Sequence, residues 1–119
     1  MGGRGGSGTP EARQPALVKV PSVNADELAD RDVRDAYEDV LNITNSQVAW
    51  VDLTRLRTAL NTRGMSRDRQ DEALLRMVDQ RKIRLIPEEN QKVISDRDRA
   101  AAIRLSGEDK HLIAFRDRL

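Results

Sequence analysis

From Asp26 onward the apolar residues recur at helical spacing. Leu28, Val33, Ala36, Tyr37, Val40 and Leu41 stand at intervals that predict one buried stripe along a first helix. Asn24 suits its N-cap, and Asp26, Glu27 and Asp30 suit the positive end of its dipole. The polar run Asn42-Ile43-Thr44-Asn45-Ser46 ends it. Val48 to Leu53 reads as a short strand, and Thr54 as the cap of a short helix over Thr54–Thr62 that buries Leu56, Ala59 and Leu60. Arg63-Gly64-Met65 supplies a turn in which Gly64 is free to take positive φ. Ser66 caps a third helix reaching Arg81, with Ala73 and positions 70, 74, 77, 78 and 81 on its buried side.

The period then changes to two. Lys82-Ile83-Arg84-Leu85-Ile86 alternates charge with apolar side chains, as a half-buried strand does, before Pro87. Pro87 to Gln91 is a turn. Ser95 is placed to cap a helix over Asp96–Leu105, stopped by Ser106-Gly107, and His111–Arg116 is a last apolar strand. Ahead of the helical pattern, residues 1–24 hold five of the seven glycines and three of the four prolines, with no periodic face. They read as a flexible tail, with Ala16-Leu17-Val18-Lys19-Val20 its one apolar patch. Residues 25–119 are left as a single domain.

Composition narrows the chemistry. Cysteine is absent, which removes thiol catalysis, thiolate metal sites and disulfides, and His111 is the only histidine. Tyr37, Trp50 and Phe115 are the only aromatics, too few for a base-stacking surface. No apolar run approaches the ~20 residues of a membrane span, and no apolar leader opens the chain, so the expected address is the cytoplasm. Four of the 21 basic residues are lysine and the other 17 arginine. Arginine codons are GC-rich, which suggests a high-GC bacterium or its phage.

The net charge is only +1, but it is unevenly spread. Residues 21–50 carry seven acids and two arginines, a local −5, whereas residues 51–86 carry nine basic and five acidic side chains, a local +4. Other chemical signals fall away on inspection. Gly3-Arg4-Gly5-Gly6-Ser7-Gly8 spells a dinucleotide-binding fingerprint without the strand that must precede it. His111 with Ser106, Glu108 and Asp109 is adjacency rather than a triad, and Asp96 with Asp98 lacks the further oxygen ligands of a calcium loop. The sequence implies no enzyme, no metal and no cofactor.

The stretch from Val51-Asp52-Leu53-Thr54 through Ile86 resembles a winged helix-turn-helix, and the order of elements extends the resemblance over residues 26–116. It rests on that order, on the turn at Arg63-Gly64-Met65 and on the strand that directly follows the third helix. The fold it implies is mainly α with a small antiparallel sheet. The wing strands depart from the family pattern, since residues 88–109, with a helix among them, separate the two.

By this resemblance the third helix enters the major groove of duplex DNA. Arg67, Arg69 and Arg76 are then the groove contacts, with Arg55, Arg63 and Lys92 on flanking phosphates. Such a bacterial or phage regulator would act as a homodimer, joined through the first helix or the Ala16–Val20 arm. Glu88 and Glu89 oppose this, because they would face phosphate at the wing. The other open reading is a protein-interaction module within a larger bacterial or phage assembly. There the long connection, with Arg97, Arg99 and Arg104, is the recognition element.

Overall fold

The computed structural model describes residues 20–45 and 47–119. Helix α1 spans Val20–Thr44, so it starts ahead of the Asn24 cap, while residues 1–19 of the expected tail lie outside the described residues. Ala29, Val33, Ala36, Tyr37 and Val40 form its buried stripe. Leu28, expected on that stripe, is 53% exposed. It precedes Val33 by five residues, which is about 140° around the helix, whereas Ala29 precedes Val33 by four.

Strand β1 is only Val51–Asp52, shorter than the six residues from Val48 to Leu53. Asp52 rather than Thr54 caps α2 (Leu53–Thr62), its carboxylate accepting the Arg55 N–H. The extended backbone of Asp52 puts an oxygen within reach of that donor, and Thr54 already lies inside the helix. At the other end the Gly64 N–H donates to Asn61 and the Met65 N–H to Leu60, with Gly64 at φ 78°. This is a Schellman closure.

Helix α3 (Arg67–Asp79) is capped by Ser66, as the sequence predicts. It closes with the same pair of bonds, Arg81 N–H to Val78 and Lys82 N–H to Met77. Here the left-handed position is filled by Arg81 at φ 60°. Arg81 is exposed, so it does not belong to the buried stripe expected on this helix.

Strand β2 (Ile83–Ile86) follows with the predicted alternation: Ile83 and Leu85 buried, Arg84 exposed. The excursion from 87 to 111 holds a 3-10 turn at Gln91–Val93, helix α4 (Asp96–Ala101) and a hairpin of β3 (Ile103–Leu105) and β4 (Glu108–Lys110). The helix expected to reach Leu105 therefore stops at Ala101. Ile103-Arg104-Leu105 alternates with period two, and Ser106 and Gly107, at φ 56° and 81°, make a hairpin turn rather than a helix stop.

Strand β5 (Leu112–Phe115) is central in a three-stranded antiparallel sheet of order β1-β5-β2, with Ile113 opposite both Val51 and Leu85. A last 3-10 turn covers Arg116–Arg118. The fold is thus mainly α with a small antiparallel sheet.

The core lies between α1, α2, α3 and this sheet. Val33, Leu53, Leu56, Leu60, Leu74 and Ile113 are among its fully buried members, and Ala101 and Ile103 of the excursion join it. Each large apolar side chain so buried contributes about 1.5–3 kcal/mol. The Tyr37 ring lies 4.9 Å from that of Phe115, and its hydroxyl donates to the Ala49 carbonyl.

The two Schellman positions make opposite predictions. Arg81→Gly relieves a left-handed arginine and is expected to raise stability by about 1 kcal/mol. Gly64→Ala meets no atom within 4 Å, so only backbone strain acts, and a loss of about 1 kcal/mol is expected. Urea midpoints of the two variants check both signs.

Candidate functional site

The six arginine and lysine positions expected at DNA do not form one basic surface. Arg55, in the first turn of α2, pairs with the capping Asp52 at 2.9 Å. Arg63, at the far end of α2, reaches Asp39 on α1 at 2.6 Å. Arg67 spends its guanidinium on the backbone of the excursion, donating to the carbonyls of Ala100 and Ala102 at 2.9 and 3.1 Å. Arg76 is not on the outer face of α3. It turns towards α1, 24% exposed, donates to Asp30 at 2.6 Å and lies 3.5 Å from Asp26. Of these six, only Arg69 and Lys92 are exposed and without an ion pair among the described residues.

Apart from Arg67, held against the excursion, the exposed positions of α3 are Asp68, Arg69, Glu72, Leu75 and Asp79, three acids against one base. A helix that enters a groove lined by phosphates needs the reverse balance.

What organises this region is a side chain absent from the expected site. Arg57 is 5% exposed. Its Nε donates to the Ala101 carbonyl at 2.6 Å, Nη1 to Gln70 Oε1 at 3.0 Å and Nη2 to Asp71 Oδ1 at 2.7 Å. Gln70, also buried, donates in turn to Asn61 Oδ1 and the Met65 carbonyl, both at 2.7 Å. One network so joins α2, the Gly64 turn, α3 and the end of α4. Burial pushes the Arg57 pKa down, and Asp71 opposes that shift.

The periodicity carried this signal. Leu53, Leu56, Arg57 and Leu60 lie on one stripe of α2, and an arginine on an apolar stripe is buried with partners or not buried at all.

A second tie holds the start of α4. Asp98 and Ser95 form a capping box, and the Thr54 hydroxyl donates to Asp98 Oδ1 at 2.5 Å. The Asp98 carboxyl is held below its usual range, first by the Thr54 hydroxyl and then by the Ser95 N–H. Together these bonds seat α4 on the corner where α2 and α3 meet.

Beside that seat runs an open groove of about 940 Å³. Its walls are Val40 and Ile43 of α1, Thr54, Thr58 and Thr62 of α2, and Arg97 of α4. Arg55 and Arg63 both line it, at opposite ends of α2. Thr58 and Thr62 donate their hydroxyls to carbonyls four residues back, at 3.0 Å each. Of the other cations on the excursion, Arg99 pairs with Asp96 and Arg104 with Asp109, both at 3.2 Å. His111 accepts the Glu88 N–H through Nδ1 at 3.0 Å, which joins the two ends of the excursion.

Two variants test these ties. Asp71→Ala leaves the buried Arg57 charge without its counter-ion and is expected to cost about 3 kcal/mol, read by urea denaturation. Because the Asp98 pKa is depressed on folding, its contribution is present above the unfolded carboxylate pKa and lost as pH falls through the folded one. Thr54→Val is therefore expected to lower stability most near neutral pH, with the gap from wild type closing in acid.

Among the described residues no helix is long and apolar enough to cross a membrane, and no group of three or more histidines and carboxylates could hold a metal ion. No protein-family model matches the chain, and neither a curated protein nor a solved structure matches it significantly.

Proposed function

We propose that the chain is a winged-helix module that binds a protein partner within a larger assembly, and that it acts without catalysis. The fold reading is supported by the order helix, strand, helix, turn, helix, strand, and by the sheet order β1-β5-β2. On this reading β2 and β5 are the wing strands, and residues 87–111 enlarge the wing between them.

One observation carries the preference for protein over DNA. The enlarged wing folds back and seats α4 on the α2–α3 corner, held by Arg57 and Arg67, where a helix-turn-helix would meet the groove. Of the residues that would read bases, Arg67 and Arg76 are engaged within the fold, and the exposed Arg69 stands beside Asp68 and Glu72. What the surface offers instead is mixed charge with exposed apolar side chains, among them Ile43 and Leu75.

The test is a backbone-amide NMR titration with a mixed-sequence duplex, at low and then moderate salt. The expected result is no shift over residues 63–76 or around Lys92, even at low salt where non-specific binders respond. Shifts there that fade with salt would return the chain to the DNA-binding reading. They should then weaken in Arg69→Ala, with the salt slope lowered by about one unit.

A further inference from the structure

On the side of the molecule where α1 meets the end of α3 lies an open cleft of about 500 Å³. Arg31 and Arg34 of α1, Arg81 and Lys82 after α3, and Arg116 after β5 line it. Met77 and Phe115 lie beneath it, almost wholly buried at 1% and 6% exposed. The Arg34 guanidinium lies 4.6 Å above the centre of the Phe115 ring.

Two acids share the lining, and both are already engaged. Asp30 pairs with Arg76 at 2.6 Å and lies 3.7 Å from Lys82, and Asp117 pairs with Arg34 at 2.9 Å. Arg31, Arg81 and Arg116 have no ion pair among the described residues, so three free guanidinium groups border one cleft.

A second observation singles out the same place. Arg81 holds the left-handed position of a Schellman closure, which Gly64 fills in the equivalent closure of α2. The arginine is strained there, and no hydrogen bond or ion pair of its side chain among the described residues compensates.

We propose that this cleft binds an acidic peptide segment of a protein partner, with carboxylates on Arg31, Arg81 and Arg116. Guanidinium groups take carboxylates through paired, charge-assisted hydrogen bonds. The occupant is a peptide rather than a nucleic-acid strand because Asp30 and Asp117 stand in the lining. A continuous line of phosphates would meet both carboxylates, whereas a peptide can space its acids around them. The proposal deepens the protein-partner reading and rests on it.

The experiment uses the full 119-residue chain and amide NMR. The probe is a hexapeptide alternating glutamate and leucine, and the control carries glutamine for each glutamate. The acidic peptide is expected to give saturable shifts over residues 30–34, 77–82 and 115–117, and the control none. Arg81→Gly should bind the acidic peptide roughly fivefold more weakly while the fold becomes more stable, a combination that unfolding cannot produce.

The proposal is overturned if the acidic peptide leaves these amides unmoved or if both peptides shift them alike. It is equally overturned if Arg81→Gly binds as tightly as wild type, or if a DNA duplex displaces the peptide from the cleft. Duplex-induced shifts confined to Ser66–Glu72 would instead sink the protein-partner reading and leave the cleft result standing, since those residues lie at the opposite end of α3.

Discussion

A single buried guanidinium decides how this molecule presents itself. Arg57 can leave water only if its donors are met, and the groups that meet them come from α3 and from the end of α4. Satisfying it therefore fixes the angle between α2 and α3 and anchors the long excursion at the same stroke. With Ala101 and Ile103 drawn into the core beside it, α4 becomes part of the folded domain rather than an appendage. The corner that a helix-turn-helix would offer to a groove is covered as a consequence.

The uneven charge of the chain has its explanation in the same packing. The acidic α1 and the basic stretch after it are partners of each other: Asp39 takes Arg63, while Asp30 takes Arg76 and lies near Lys82. Glu38 takes Arg118 from the end of the chain as well as Arg34 on its own helix. Pairs of this partly exposed kind add at most about 1 kcal/mol each, so their main effect is on the surface rather than on stability. A charge asymmetry that suggests an external polyanion is largely spent inside the fold. Among the cations left without an ion pair in the described residues, Arg31, Arg81 and Arg116 gather at one cleft.

Much of the architecture was legible in the sequence because it is written in periodicity. The α1 stripe, the Ser66 cap, the positive φ at Gly64 and the alternation at Ile83–Ile86 all follow from spacing and residue type. The boundary of α4 was not, because Ala100 and Ala101 continue a helix as readily as Ile103-Arg104-Leu105 forms a strand. The hairpin is decided by pairing with Glu108–Lys110. The site was harder for a related reason. An arginine on a helix looks solvated from one helix alone, and whether Arg67 and Arg76 face water depends on what packs beside them. Arg57 was the exception, readable from its place among Leu53, Leu56 and Leu60, and it is the residue on which the rest turns.

The most direct test of this account is native-state amide hydrogen exchange at Ala102, whose N–H donates to the Asp98 carbonyl at the end of α4. If α4 is locked to the α2–α3 corner, this amide opens only with the whole domain, and its protection equals that of core amides in α2 and α3. Exchange much faster than theirs would mean that α4 lifts off while the core stays folded. The corner would then be bared in solution, and the claim that the excursion closes it would be wrong.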